Sequence, residues 1–174
     1  RGYAVRGVVI DDLGRRICLG FTGGSMSTNL LQVYSSSDEL LWEARFPGAA
    51  VNSPAVQADG RIVVGSTVYS GAEPTAVYCF SPEGVLLWSL PTGRVVGQPS
   101  LGVDGMIYFG EESPVPKQSK VYALRPDGSV AWSVLHGPAV YASPTLTAEG
   151  DILIADSDGF VTVSYTHLTL PTKA

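Results

Sequence analysis

The sequence predicts an all-β fold made of repeated four-stranded units, and the main observation behind this is an internal period of 45 residues. A short apolar run closes at Gly20, Gly65, Gly110 and Ala155, and consecutive members of this set are 45 residues apart. Two further markers follow the same step, a proline and an acidic residue followed by glycine: Pro54, Pro99, Pro144 and Asp59-Gly60, Asp104-Gly105, Glu149-Gly150. A period of this length with strand-forming content is typical of a β-propeller, in which each repeat forms one blade.

The length of the chain bounds how much of a propeller it holds. The 174 residues begin with Arg1 rather than methionine, and they contain about 3.5 repeats, whereas propellers close with roughly four to eight blades. We therefore expect residues 1–162 to form a partial propeller that belongs to a longer protein.

The second repeat indicates how one blade is encoded. Strand-forming residues predict strands at 53–58, 61–66, 76–80 and 85–90. Pro54 suits the start of the first strand because proline cannot donate to a sheet ladder. Gly60 and Gly84 suit tight turns because glycine adopts positive φ without steric cost. No stretch of ten or more residues keeps a 3.6-residue apolar period, so we expect no helix.

The loops fall into two classes. The turns that join the first to the second strand and the third to the fourth are short and uniform, whereas the loops between second and third strands vary: 21–30, 67–75, 111–119 and 156–159. In a four-stranded meander these variable loops share one face with the connections between blades, 91–98 and 135–142. We call this the variable-loop face, and we expect a partner there because repeat proteins place insertions on their binding face.

Composition excludes several function classes. The net charge is −5, with 16 acidic and 11 basic residues, which argues against a nucleic-acid footprint. No apolar run approaches the roughly 18 residues of a membrane span. Cys18 and Cys79 are too few for a disulfide scaffold, and their strand-like surroundings predict small buried apolar residues.

The motifs Val-Tyr-Ala-Leu-x-Pro-Asp-Gly-x-x-x-Trp at 121–132 and Ser-Pro-x-x-x-x-Asp-Gly-x-Ile at 53–62 resemble the PQQ-like, or quinoprotein-type, propeller repeats. Related forms at 77–88 and 143–155 extend the resemblance over about residues 7–162. It implies that Trp42, Trp88 and Trp132 are packing devices that dock neighbouring blades, which suits a large flat side chain.

The same resemblance frames the expected function. Catalytic members bind PQQ and calcium on the propeller axis, use an acidic base, and many carry vicinal cysteines; this sequence has no Cys-Cys pair and has Pro-Glu-Gly or Pro-Asp-Gly where they usually have Thr-Gly. These departures favour a non-catalytic platform for protein or ligand binding, without a cofactor, like a bacterial outer-membrane assembly lipoprotein of the family. Such members imply a periplasmic or other extracytoplasmic location.

Two alternatives remain open. The chain is a fragment of a PQQ-dependent dehydrogenase whose cofactor and calcium ligands lie in other blades, or it is an accessory propeller domain fused to another enzyme. Fold alone does not choose between these readings and the platform.

The residues just before each inner strand are the candidate binding residues. In a propeller they form the rim of the central channel on the variable-loop face, where they could offer polar contacts to a small ligand. These candidates are Asn52, Ser53, Gln98, Tyr141 and Ser143.

Other polar groups favour structural readings. Asp156 and Asp158 resemble part of a calcium loop but lack its further ligands, so we expect a hairpin turn. Glu111 and Glu112 lie in a charged loop that we expect to be solvated. His136 has no second histidine nearby, and we expect it to be structural or solvent-facing.

The last twelve residues break the repeat. Residues 163–174 provide neither the Pro-Asp-Gly turn nor the tryptophan that should follow, and ten of them resemble the translation of a transposase-type sequencing adapter. The resemblance implies a metagenomic or transcriptomic read that ran into adapter sequence. We therefore expect this tail to be non-native and assign His167 no role.

Overall fold

The computed structural model describes residues 3–22, 28–49, 52–67, 75–159 and 161–164. These residues form β-strands, turns and irregular segments without any helix, which confirms the predicted all-β class. The strands make three four-stranded sheets and one three-stranded sheet, each a simple antiparallel meander. They are β1 (Tyr3–Ile10), β2 (Arg16–Thr22), β3 (Thr28–Tyr34) and β4 (Leu40–Pro47) in blade 1; β5 (Ala55–Val56), β6 (Ile62–Gly65), β7 (Ala76–Phe80) and β8 (Leu86–Pro91) in blade 2; β9 (Ser100–Leu101), β10 (Ile107–Gly110), β11 (Ser119–Leu124) and β12 (Val130–Gly137) in blade 3; and β13 (Thr145–Leu146), β14 (Ile152–Ala155) and β15 (Val161–Ser164) in blade 4.

The inner strands are shorter than their sequence suggests. In blade 2 the strand predicted at 53–58 is reduced to Ala55–Val56. The reason is that the hairpin turn already begins at Gln57, whose N–H donates to the carbonyl of Arg61 while the N–H of Gly60 donates back to the carbonyl of Gln57, both at 2.8 Å. Gly60 has a φ of +82°, as the turn requires.

The core lies between blades rather than within one sheet. Ile62, Val64 and Tyr78 of blade 2 pack against blade 1, whereas Val63 and Cys79 of the same strands pack against blade 3. A third apolar cluster joins blade 3 to blade 4. Successive strand residues point to opposite faces and both faces are covered, which explains why β6 and β10 are continuous apolar runs.

Strand pairing shows that equivalent positions of the first and second repeats are 46 residues apart rather than 45. Ile17 pairs with Val33 in blade 1, and the residue in the same place in blade 2 is Val63, which pairs with Cys79. Blade 1 and blade 2 are therefore offset by 46 residues, the spacing of Trp42 and Trp88, although Gly20 and Gly65 are 45 apart. The 45-residue step holds between β6 and β10, where Ile62 and Ile107 take equivalent places.

The predicted tail begins inside a strand. Val163 and Ser164 belong to β15 and pair with Leu153 and Ile152, while residues 165–174, including His167, lie outside the described residues. The boundary at residue 162 and the foreign origin of the tail stay predictions.

The two cysteines differ in burial. Cys79 is fully buried, as the sequence predicts, whereas Cys18 is only partly buried. The Val8–Cys18 row of β1 and β2 faces away from the cluster that joins blade 1 to blade 2. Cys79 therefore contributes to the interblade core, and Cys18 does not.

We expect Cys79 to make the protein less stable in alkali. Burial, opposed by Arg61 and reinforced by Asp59, raises the pKa of the Cys79 thiol from 9.0 to about 11. The folded state then holds its proton more tightly, so the stability contribution is complete below pH 9 and is lost as the pH rises through the folded pKa. The free energy of unfolding should fall by about 1 kcal/mol from pH 8 to pH 10 through this group.

The measurement is urea unfolding at a series of pH values from neutral to alkaline. Cys79→Ala is the control, because it removes the titrating group while keeping a small apolar side chain. A variant profile as steep as that of the original protein would show that Cys79 is not responsible. Tyr122, whose pKa burial and Glu111 raise to about 12, should remain as a smaller slope in both proteins.

Candidate functional site at the propeller axis

Among the predicted rim residues, Gln98 makes hydrogen bonds to the residues ahead of both neighbouring inner strands. Its side-chain amide Nε2 donates to the carbonyl of Pro54 in blade 2 at 2.9 Å, and its backbone N–H donates to the Ser143 hydroxyl ahead of blade 4, also at 2.9 Å. Because Gln98 itself precedes the inner strand of blade 3, one residue connects three successive blades at the axis. Ser143, although exposed, is held by the same network.

Asn52 was expected to face a ligand at the channel rim, but its side chain is buried. It is only 7% exposed, and its Nδ2 donates to the carbonyls of Val95 and Gly97 at 3.1 and 3.3 Å. These carbonyls belong to the connection between blades 2 and 3. The amide nitrogen is thus committed to that connection, while the Oδ1 atom has no partner among the described residues.

Ser53 and Tyr141 are the remaining rim candidates. Ser53 is half-buried and lies so close to Gly7 that a Cβ atom on that glycine would be 2.5 Å from the Ser53 Cα. Tyr141 is 46% exposed on the connection that enters blade 4. Of the five candidates, the structure therefore joins Gln98 to Ser143 directly, and it joins Asn52 to Gly97, the residue before Gln98.

The inner strands β5, β9 and β13 border a groove of about 480 Å³. Gln98 and Ser143 line it, together with Ser100, whose hydroxyl donates to the carbonyl of Pro144. The groove presents amides, hydroxyls and prolines, and both the Gln98 side-chain amide and the Ser100 hydroxyl donate a hydrogen bond to a backbone carbonyl. It carries no carboxylate among its lining residues.

That donor set does not fit the PQQ–calcium centre that the catalytic family members would require. Calcium takes six to eight oxygen ligands, usually with carboxylates among them. Within the described ranges, no group of three or more His, Cys, Asp or Glu side chains could hold a metal ion.

The tryptophans of blades 1 and 2 lie against a turn of the following blade. Trp42 donates from Nε1 to the Pro82 carbonyl at 2.8 Å, and Trp88 donates to the Pro126 carbonyl at 3.4 Å. Each indole also covers the turn glycine two residues after that proline, so closely that a Cβ atom there would overlap the ring. Trp132 contacts Tyr108, with 6.2 Å between ring centroids, and the turn that would follow β15 lies outside the described residues.

Arginines share these carbonyls, a feature that the sequence interpretation missed. Arg15 donates to the Pro82 carbonyl at 3.3 Å, and Arg61 donates to the Pro126 carbonyl at 2.7 Å. The two arginines are 46 residues apart, as are Trp42 and Trp88, so their common spacing was the available signal. Each of these two proline carbonyl oxygens therefore accepts hydrogen bonds from an arginine and a tryptophan of the preceding blade.

The expectation of a solvated acidic loop was wrong for Glu111. This residue is 5% exposed, and its carboxylate accepts the backbone N–H of Gly93 at 2.6 Å. Glu112 forms an ion pair with Arg94. Glu111 is buried because the connection from blade 2 to blade 3 pairs with the start of the loop, whereas residues 114–118 of the same loop are exposed. Periodicity within one repeat could not reveal this contact.

A comparable buried contact joins blade 3 to blade 4, and it is made by a histidine and an aspartate. His136, the penultimate residue of β12, lies 3.0 Å from the Asp156 carboxylate, and both side chains are largely buried. His136 is thus tied to the neighbouring blade. The N–H of Asp158 donates to the Asp156 side chain, and the φ of Gly159 is +85°, which confirms the predicted hairpin turn.

Comparisons with known proteins support the fold. No protein-family model matches the sequence, and no curated protein sequence matches it significantly. Among solved structures, BamB from Moraxella catarrhalis has a TM-score of 0.70 and 18% identity over 92% of this chain and 46% of its own. The Dos1 propeller has a TM-score of 0.67 and 11% identity over 91% and 44%. A europium-containing methanol dehydrogenase has a TM-score of 0.57 and 12% identity over 90% and 38%.

The four consecutive sheets and these matches define the class: the chain is a partial β-propeller of about 3.5 blades. At such low identity the similarity establishes the fold alone. The chain spans about half the length of BamB. In the part that the structure describes, no helix is long and apolar enough to cross a membrane.

Proposed function

We propose that this chain is a non-catalytic propeller platform, part of a longer protein, that binds a protein or ligand through its variable-loop face. The observation that carries the proposal is the use of the rim polar groups. Asn52 donates its side-chain amide to two backbone carbonyls, and Gln98 donates to one, all in the connections between blades, so both residues act as parts of the scaffold. Tyr141 remains 46% exposed on the same face.

A rigid scaffold with exposed connections suits a binding role. Interblade bonds such as that of Glu111 to Gly93 fix the connections in place, so a partner meets a preformed surface and binding costs little conformational entropy. An exposed tyrosine adds a large amphipathic contact area of the kind enriched at interfaces.

The test uses peptides selected from a random displayed library against the whole chain. A photo-reactive benzoylphenylalanine replaces Tyr141 in one variant and Leu87 in another; Leu87 is 47% exposed on the outer strand and serves as the matched control. We expect selected peptides to crosslink at position 141 and not at 87. Preferential crosslinking at 87 would place binding on the outer strands and refute the proposal.

The dehydrogenase reading is the second candidate, favoured by the structural similarity to the europium-containing methanol dehydrogenase. Fluorescence titration of the chain with PQQ in calcium chloride, followed by a dye-reduction assay with alcohols, tests it. The platform proposal expects no saturable PQQ binding at micromolar concentrations. Saturable binding, with dye reduction on adding an alcohol, would favour the dehydrogenase instead.

A further inference from the structure

Blade 1 has one sheet face that no described blade covers. The corresponding face of blade 2 packs against blade 1, and that of blade 3 packs against blade 2. In blades 2 and 3 this face is apolar, and its central side chains are Ile62, Val64, Tyr78 and Phe80, and Ile107, Phe109, Tyr122 and Leu124. We call the equivalent surface of blade 1 the outward face, because it is the one that would meet a preceding blade.

The outward face of blade 1 is polar where those of blades 2 and 3 are apolar. Strand pairing and the offset of 46 residues place Arg16, Gln32 and Tyr34 where blade 2 has an isoleucine, a tyrosine and a phenylalanine. The half-buried Cys18 takes the place of a valine. An apolar interblade surface is therefore replaced here by groups that need hydrogen-bond partners.

These polar groups bond to one another. The Gln32 side chain donates from Nε2 to the Glu43 carboxylate at 3.2 Å and accepts at Oε1 from the Tyr34 hydroxyl at 3.1 Å. Arg16 forms an ion pair with Asp38, and its guanidinium carbon lies 5.9 Å from the centroid of the Tyr34 ring. Gln32 is only 7% exposed, yet both polar ends of its side chain have partners within blade 1. The face is thus satisfied without a neighbour.

The turn between β3 and β4 also lacks a seat for a tryptophan. In blade 2 the seat consists of the Pro82 carbonyl, which accepts from the Trp42 indole, and of Gly84, where a Cβ atom would lie 2.7 Å from the ring. Blade 1 forms the same turn, in which the N–H of Asp38 donates to the carbonyl of Ser35. Asp38 stands in the place of the glycine and keeps a positive φ of +70°. Its Cβ fills the space that an indole would need.

The other end of the array shows what a polar outward face prevents. Leu153 and Val161 of blade 4 lie on the sheet face directed away from blade 3, because Leu153 takes the place of Val63. Val161 is 67% exposed. An apolar outward face on blade 1 would let copies of the chain stack head to tail on this end, and such contacts form rings or open filaments. Repeat arrays avoid this with a terminal unit whose outer face is polar.

We propose that the outward face of blade 1 is a capping face: it stays in water, and neither a tryptophan-bearing repeat nor a second copy of the chain stacks on it. Where a longer protein closes its ring, this junction is the seam, and a neighbouring blade meets blade 1 only along β1. There, on the same face as Cys18, Val8 and Ile10 are 53% and 66% exposed. The inference does not depend on binding at the variable-loop face.

Analytical ultracentrifugation of the whole chain over a series of micromolar concentrations tests the proposal. The triple variant Arg16→Ile, Gln32→Tyr, Asp38→Gly places the residues of blade 2 on the outward face of blade 1. We expect the unaltered chain to remain monomeric, and the variant to self-associate at least about tenfold more tightly than a matched control, because its new side chains bury apolar surface on association.

The matched control makes the same kinds of change at exposed positions of blade 3, with the substitutions Lys120→Ile, Ser133→Tyr and Asp127→Gly. Thermal unfolding checks that both variants keep the fold. Equal self-association of the two variants would overturn the proposal, because the outward face would then be no different from other exposed surface.

Cys18 provides a second measurement that needs no variant. It lies on the outward face and is half-buried, whereas Cys79 is fully buried between blades. A maleimide, mapped by mass spectrometry, should modify Cys18 of the folded chain at the same rate at low and high protein concentration, and it should leave Cys79 unmodified until the chain unfolds. Protection of Cys18 that increases with the concentration of the unaltered chain would show that a second copy covers the face, and the proposal would fail.

Discussion

Replacing Trp88 by alanine is expected to lower the free energy of unfolding by about 3 kcal/mol. The indole covers the turn of blade 3, where a Cβ atom on Gly128 would lie 2.5 Å from its Cδ2. It also donates to the Pro126 carbonyl at 3.4 Å. Alanine would remove the apolar contact and the donor together, and it would leave a cavity at the junction of two blades.

Urea unfolding followed by circular dichroism measures this loss. Ser89→Ala, an exposed neighbour on the same outer strand, is the control and should change stability by less than about 0.5 kcal/mol. Trp88→Phe keeps an aromatic ring and removes the N–H, so it should cost about 1 kcal/mol. If Trp88→Ala were as stable as Ser89→Ala, the indole would not be holding the blades together.

Replacing Gly128 by alanine is expected to cost about 3 kcal/mol, for two separable reasons. Its φ is +85°, and a left-handed conformation costs an L-residue roughly 1–2 kcal/mol. The added Cβ would also overlap the Trp88 ring, and overpacking costs about 1–3 kcal/mol.

Gly159→Ala separates the two contributions. Gly159 has the same φ of +85° but nothing within 4 Å of a Cβ atom, so only the backbone cost should appear there. In a Trp88→Ala background the ring is absent, and Gly128→Ala should then cost no more than Gly159→Ala does. A Gly128→Ala loss that is equal with and without Trp88 would show that the ring and the glycine do not contact each other.

Much of the blade was predictable because its determinants are local. The strand Ala76–Phe80 follows from a run of strand-forming residues, and the turn glycines Gly60 and Gly84 follow from the need for positive φ. The variable loops 21–30 and 67–75 were recognised by their failure to repeat, although parts of both lie outside the described residues.

The candidate site was only partly predictable because it depends on contacts between blades. Asn52 and Gln98 were chosen for their position before inner strands, but the sequence does not say which carbonyls their amides meet. The same limit explains Glu111, which reads as a solvated charge within its own repeat and is buried by the connection from the preceding blade.

By itself, the sequence determined the number and order of strands, the turn positions and the propeller class, because strand alternation, glycine turns and a repeating period all act within about 45 residues. Only the tertiary structure decided how one blade meets the next. The convergence of Arg15 and Trp42 on the Pro82 carbonyl depends on the distance and rotation between adjacent sheets. Those quantities arise from packing two sheets together, and neither is encoded in any single repeat.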